Sequence, residues 1–413
     1  MAHISLKRIE EPAATPGFDW RQPFATAPVL RLGFRPFYLL AALFAVLSVP
    51  LWLLAYGDGL ALTPNVTVLW HMHEMTFGFM TAVVIGFLFT AGRNWTNLWT
   101  PRRGHLALLA ALWIAGRGAM LFATPGWAAL VDIAFLPAAT WPMYQVLQRS
   151  GNKRNMPLLG LLVLLTIANA VYHAAMLGWL QLSPMLAVHA AILVLAVLST
   201  VMGGRVIPGF TTNMAPGSRP KTNARTDKAG LALIGAASVA WLALQGGAGV
   251  GALAAVLAAL LAAAAGVVHL WRLSGWSTLK TLRYPLLWIL HLAYAWIGIG
   301  FLLLAGAAIG YGPPSTGIHA LAVGAMSSLI LGMITRTARG HTGRPVKAGR
   351  AESLAFAALQ IGAVARVAAN LVPEAWRHAA LCIAGLAWSL SFALYLAVYT
   401  PWLLRARLDG RDG

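Results

Sequence analysis

Apolar runs of about 20 residues recur along this chain, near 32–55, 67–91, 104–122, 127–148, 157–178, 183–207, 229–245, 248–271, 285–309, 316–336, 351–371 and 376–403. Each is long enough to cross the roughly 30 Å hydrocarbon core of a bilayer as a helix. Inside lipid the backbone must satisfy its own hydrogen bonds, and an unbroken apolar run does so as a helix. The expected fold is therefore all-α, a polytopic membrane bundle of about twelve transmembrane helices. Residues 32–403 form that bundle, flanked by an N-terminal arm at 1–31 and a C-terminal tail at 404–413.

Charge is scarce, at 10% of 413 residues, yet the formal net charge is +19. Such an excess can signal nucleic-acid binding, but its placement argues for topology instead, because orientation in a membrane follows Lys and Arg in short loops. Arg93, Arg102 and Arg103 follow the second run; Arg149, Lys153 and Arg154 the fourth; Arg219, Lys221, Arg225 and Lys228 the sixth; Arg272, Lys280 and Arg283 the eighth; Arg339, Arg344, Lys347 and Arg350 the tenth. The intervening connections hold almost none. Both termini are thus expected in the cytoplasm, and the partner implied is the lipid bilayer, with no nucleic acid. The first 31 residues lack an apolar core with a small-residue cleavage site, so the first helix is expected to act as the insertion signal.

Cys382 is the only cysteine. That excludes an intramolecular disulfide, an all-cysteine metal site and covalent haem attachment through Cys-x-x-Cys-His. Any metal or haem must be held by His, Met, carboxylate or backbone.

The eleven histidines sort by depth on this topology. His71 and His73 fall near the outer end of the second helix, His173 in the outer part of the fifth, His189 near the outer end of the sixth and His319 near that of the tenth. Glu74, Arg117, Asp132, Asn169 and Arg366 share the layer. Ionisable groups are expensive there and mark functional sites by default, so together they imply a cofactor-sized polar cavity in the outer half. The second, sixth and tenth helices also share a layout, an outer histidine and a glycine- or arginine-bearing inner end, which suggests three quasi-repeats of four helices. Imidazole ligates both haem iron and copper. Arg117 and Arg366 suit haem propionates or, equally, an ion pair with Asp132 or Glu74. His71 and His73 are about 200° apart on a regular helix and cannot face one metal unless the turn is irregular. Arg93, Arg205 and Arg336 read as anchors at the inner interface. Gly203, Gly204 and Pro208 beside Arg205 suggest either an anion-binding turn or close helix packing.

Several motifs taken together resemble one family: Leu32-Gly33-Phe34-Arg35-Pro36-Phe37-Tyr38, Trp70-His71-Met72-His73-Glu74, Gly92-Arg93-Asn94-Trp95-Thr96, Gly204-Arg205-Val206-Ile207-Pro208 with Thr211 and Asn213, and Arg336 through Gly340-His341-Thr342-Gly343-Arg344. The chain resembles the NnrS family. The resemblance implies an inner-membrane protein with haem (haem b) and copper, acting in nitric oxide metabolism and nitrosative-stress resistance. The chain is also distantly similar to the haem–copper oxidase catalytic subunit, whose second, sixth and tenth helices carry metal-binding histidines. It departs from that pattern in having no histidine at 229–245 and only one outer histidine on the tenth helix.

The haem ligands expected on that likeness are His73 and His319, with His189 the next candidate. Copper is expected on His189 and His173, with His71 as a third ligand, because the fifth and sixth helices are joined by a short outer turn; the alternative is the exchange in which these residues hold the haem and His73 belongs to the copper. Nitric oxide or a related small molecule is the expected ligand, and any oxidoreductase turnover would draw electrons from quinol or a partner protein. The competing readings are a secondary transporter and a copper-delivery membrane protein.

Overall fold

The computed structural model describes residues 23–411 except 58, 60, 61 and 248–250. Residues 1–22 of the expected arm, with His3, Lys7, Arg8 and Arg21, lie outside the described residues, as do 412 and 413 of the tail. The described part of the arm holds a short helix, Pro23–Thr26, and a 3₁₀ turn, Pro28–Leu30.

Twelve long helices follow, one for each apolar run. They are α1 Phe34–Gly57, α2 Val68–Thr96, α3 Arg103–Phe122, α4 Pro125–Arg149, α5 Met156–Met176, α6 Pro184–Met214, α7 Ala224–Gln245, α8 Ala252–Ser274, α9 Pro285–Ala308, α10 Pro314–His341, α11 Arg350–Ala368 and α12 Glu374–Leu403. Among the described residues there is no strand. Eleven of the twelve are long and apolar enough to cross a membrane, the exception being α4. Its 25 residues match a bilayer in length, but Asp132, Gln145, Gln148 and the internal Pro137 and Pro142 dilute its apolar character. It packs lengthwise between α3 and α5 as one of the bundle's own staves.

Burial separates a centre from a rim. The apolar stretches of α2 and α10 are each 78% buried, whereas those of α7 and α8 are 28% buried and turn most of their surface outward. The central helices α2, α6 and α10 touch one another pairwise, and α12 returns against α1 to close the ring. This arrangement gives the four-helix spacing of the histidines a physical form. Arg35 on α1 donates from Nη1 to the carbonyls of Leu403 (2.9 Å) and Arg405 (2.8 Å), so the beginning of α1 and the end of α12 share one end of the bundle. The connections at that end carry the Lys and Arg residues. Those at the opposite end carry none among the described residues.

Apolar association gives helices little drive within lipid, so close backbone approach matters. A Cβ at Gly266 of α8 would stand 2.8 Å from the Gly298 carbonyl of α9, and one at Gly298 would stand 2.9 Å from the Gly266 carbonyl. At Gly203 it would meet Tyr294 at 2.9 Å. Gly203, Gly204 and Pro208 all lie inside α6. The anion-binding turn expected as one option there does not form, and close packing accounts for Gly203.

α2 and α10 share an irregularity that α6 lacks. Both change from α to π winding immediately after their outer histidine, over Glu74–Met80 and Ala320–Ser327. π segments inside α-helices concentrate at functional sites and shift backbone hydrogen-bond register. Side chains bond to carbonyls in both: Trp113 Nε1 donates to Gly78 O (3.0 Å), and Ser327 Oγ to Ala322 O (2.7 Å).

Candidate functional site

Four helices tie a polar knot in the half of the bundle that carries His71, His73, His173, His189 and His319. His73 and Glu74 come from α2, Arg117 from α3, Asp132 from α4, and Asn169 and His173 from α5; all are buried. Arg117 bridges the two carboxylates, bonding through Nη1 to Glu74 Oε1 (2.5 Å) and through Nη2 to Asp132 Oδ1. Asp132 Oδ2 accepts from Asn169 Nδ2 (2.8 Å) and faces His173 Nε2 (3.0 Å) and His73 Nε2 (3.2 Å). His73 Nδ1 lies 2.9 Å from Glu74 Oε1, and its Nε2 lies 2.9 Å from Asn169 Oδ1. Both nitrogens of His73 therefore face oxygen acceptors, which a doubly protonated ring or a metal ion on Nε2 satisfies. Two carboxylates against one guanidinium leave a place for one further positive charge.

The same atoms can hold a metal. Ligand atoms of His73, Asp132 and His173 all lie within 4.8 Å of one another. Glu74 on the far nitrogen of His73 completes the carboxylate–histidine arrangement that fixes a ligating imidazole. Gly78, one turn into the π segment, makes room for the knot, since a Cβ there would stand 2.7 Å from Arg117 Nη1.

The other side of α2 faces a cavity of about 360 Å³ with mostly apolar walls. Three imidazoles line it, His71 from α2, His189 from α6 and His319 from α10, together with Arg366 from α11. His71 stacks on Trp52, with ring centroids 4.0 Å apart and planes at 18°. Its Nδ1 is buried and has no hydrogen-bond partner among the described residues; the same holds for Arg366 Nη1. His319 Nδ1 is 2.7 Å from Ser315 O, so Nδ1 donates and Nε2 keeps its lone pair. Met72, Met75 and Met185 add thioether sulfurs to the wall.

A guanidinium nitrogen without a partner among the described residues, available imidazole nitrogens and apolar walls suit a macrocycle bearing carboxylates, and the volume lies in the usual range for ligand pockets. The donor set thus fits a haem here and a single metal ion in the knot.

The structure regroups the expected ligands. His73 and His319 do not line one pocket, because His73 is held in the knot while His319 lines the cavity. His189, His173 and His71 are likewise divided, His173 bonding to Asp132 and the other two facing the cavity. Of the two arginines, Arg117 is engaged by both Glu74 and Asp132, and Arg366 borders the cavity. His71 and Met75 both line the cavity, whereas Glu74 bonds to His73 in the knot; a regular helix would have put His71, Glu74 and Met75 on one face. His105 and His378 line neither site. The contributions of Trp52, Gly78 and the two π segments had no signal in the chain beyond isolated glycines in apolar runs.

These features define a polytopic helical membrane protein with two adjacent histidine-rich sites, one polar and closed, the other apolar and open to a ligand. The NnrS protein family model matches residues 28–407 of the 413, and the chain belongs to the NnrS family. That family is associated with nitric oxide metabolism or response and with metal and haem binding. A comparison with curated proteins finds no match.

Proposed function

We propose that this chain is an inner-membrane haem and copper protein that binds nitric oxide, or a product of it, in the histidine-bearing half of the bundle. The observation that carries the reading is the convergence on one apolar cavity of His71, His189, His319 and Arg366, whose Nη1 has no partner among the described residues. Those imidazoles supply the candidate axial ligands of a haem b, and Arg366 pairs with a propionate. Copper takes His73, His173 and Asp132, with Glu74 and Arg117 fixing the ligands. Haem iron and Cu(I) both bind nitric oxide, and a small neutral gas dissolved in lipid can reach an apolar cavity between helices. Turnover at such a site requires electrons from a quinol or a redox partner.

The basic end faces the cytoplasm, following the positive-inside rule. The end that carries His71, His73, His173, His189 and His319 then faces the periplasm. In a Cys382→Ala background, Asn65→Cys should label from outside and Arg225→Cys should not; external labelling of position 225 would invert the orientation.

The cofactor assignment is tested by optical spectra and metal analysis of the detergent-purified protein. His71→Ala and His319→Ala should lower or shift the haem spectrum while copper is retained. His73→Ala and His173→Ala should lower copper while haem is retained, and His105→Ala and His378→Ala should change neither. Full haem with an unshifted spectrum in both His71→Ala and His319→Ala removes haem from the cavity.

A further inference from the structure

The opposite ends of α2, α6 and α10 meet around a second, larger cavity of about 770 Å³. Its apolar wall includes Phe87, Met202, Phe210 and Met333, and Arg154, Arg205, Arg336 and Arg407 also line it. Among the described residues no carboxylate lines it. Arg407 is bonded to Asp409 (2.6 Å), but no carboxylate partner is recorded for the other three among the described residues.

Two of those three are held in place without neutralisation. Arg336 is half-buried, its Cζ 3.7 Å from the centre of the Phe210 ring and its Nη1 2.5 Å from Met214 Sδ. Arg205 donates from Nη1 to Asn155 Oδ1 (2.9 Å), and the Asn155 amide in turn donates to Asn152 Oδ1 (3.1 Å). Asn152 is fastened to the end of α2 through Trp95 O (3.1 Å). Arg205 and Arg154 are exposed along the cavity and Arg336 is half-buried in its wall, so an amide bond orients Arg205 and a ring face orients Arg336 without a carboxylate.

Guanidinium groups gathered at an apolar cavity repel one another, and the repulsion is relieved by an anion that accepts several N–H bonds at once. Tetrahedral phosphate offers more acceptor oxygens than a carboxylate and matches the planar forks of arginine. The volume exceeds what a bare phosphate needs, and the aromatic and methionine wall can receive an organic body. We propose that this end of the bundle is a binding site for a phosphate-bearing anion, held by Arg205 and Arg336 with Arg154 at its edge. The phosphate can belong to a free molecule or to a lipid headgroup.

The test uses the full-length protein in phosphate-free detergent buffer. Inorganic phosphate, titrated against chloride at constant ionic strength, should raise Tm saturably, read by tryptophan fluorescence. Arg205→Gln and Arg336→Gln should each weaken the apparent affinity about tenfold or more, the scale of one charge-assisted bond. Arg225→Gln, at the same end but outside the cavity, should leave it unchanged. Arg336→Lys, which keeps charge but loses the fork, should fall between.

The lipid arm uses native mass spectrometry after reconstitution into phosphatidylglycerol and phosphatidylcholine. A retained phosphatidylglycerol adduct that is lost in Arg205→Gln and Arg336→Gln assigns the phosphate to a headgroup. A phosphate response without that adduct assigns it to a free molecule. Absence of both from the unmodified protein overturns the proposal, as does a response of equal size in the arginine variants.

Discussion

His71 and His73 stand two positions apart on α2, yet they occupy opposite chemical environments. His73 is enclosed by Glu74, Asp132 and Asn169, with both ring nitrogens near oxygen. His71 lies against Trp52 at the edge of an apolar cavity, its Nδ1 without a partner. Burying a polar group costs free energy unless a hydrogen bond compensates. The knot meets most of that cost within the protein, leaving only Glu74 Oε2 and Arg117 Nε without partners among the described residues, whereas His71 Nδ1 and Arg366 Nη1 at the cavity are unmet and favour an added ligand. One helix thus contributes a nearly complete site on one side and an incomplete one on the other.

The sharpest way to break this contrast is to remove the guanidinium common to both carboxylates of the knot. Arg117→Met should destabilise the protein by about 3–5 kcal/mol, the usual consequence of stranding a buried charge. Thermal melts and the yield of monodisperse protein in detergent would record it. Undiminished stability would mean that Glu74 and Asp132 are neutral or reached by water. His73→Ala comes next, with an expected loss of roughly 3 kcal/mol, because carboxylate oxygens on both sides lose a partner. Its melting temperature should fall well below that of His71→Ala under the same conditions.

Gly78→Ala examines the knot by crowding rather than deletion. The added methyl would stand 2.7 Å from Arg117 Nη1 and 3.2 Å from Glu74 Oε2, within a π segment whose backbone is already irregular. Overpacking of this kind costs about 1–3 kcal/mol. A loss of copper alongside the fall in melting temperature would tie the π segment to the metal site; a melting temperature equal to that of the unmodified protein would show that Arg117 can step aside.

The positions of the helices were legible because lipid leaves a long apolar run few ways to satisfy its backbone. The depth of the histidines followed from those positions and the alternating loop charge. Their partners did not, since Glu74 bonds to the adjacent His73 ring where a π segment begins, and Arg117, Asp132 and Asn169 are brought to this pair by three other helices. Arg117 could be read as a propionate ligand or as an ion-pair partner of either Asp132 or Glu74; the structure engages it with both. Arg205 and Arg336 read as interface anchors when each run is taken by itself, and the cavity they also share arises only where α2, α6 and α10 converge. Single residues display their cost in a sequence, but the neighbours that offset it are brought together by tertiary packing.

The smallest expected change in stability also separates the two sides of α2 most clearly. His71→Ala removes a ring stacked on Trp52, and aromatic pairs contribute about 0.5–1.5 kcal/mol beyond their buried area. No hydrogen bond is recorded at its Nδ1, and the ring borders a cavity rather than packed protein, so little else is lost. The apoprotein should therefore melt within about 1 kcal/mol of its parent. Haem retention should nevertheless fall, because the removed imidazole is one of three facing the cavity. His73→Ala should show the reverse pattern, a large drop in melting temperature with haem retained in whatever fraction remains folded. Thermal melts of the apoproteins, paired with haem-to-protein ratios after reconstitution, separate these outcomes. If His71→Ala proved the more destabilising and bound haem normally, the incomplete site would be an ordinary packing contact and the contrast across α2 would vanish.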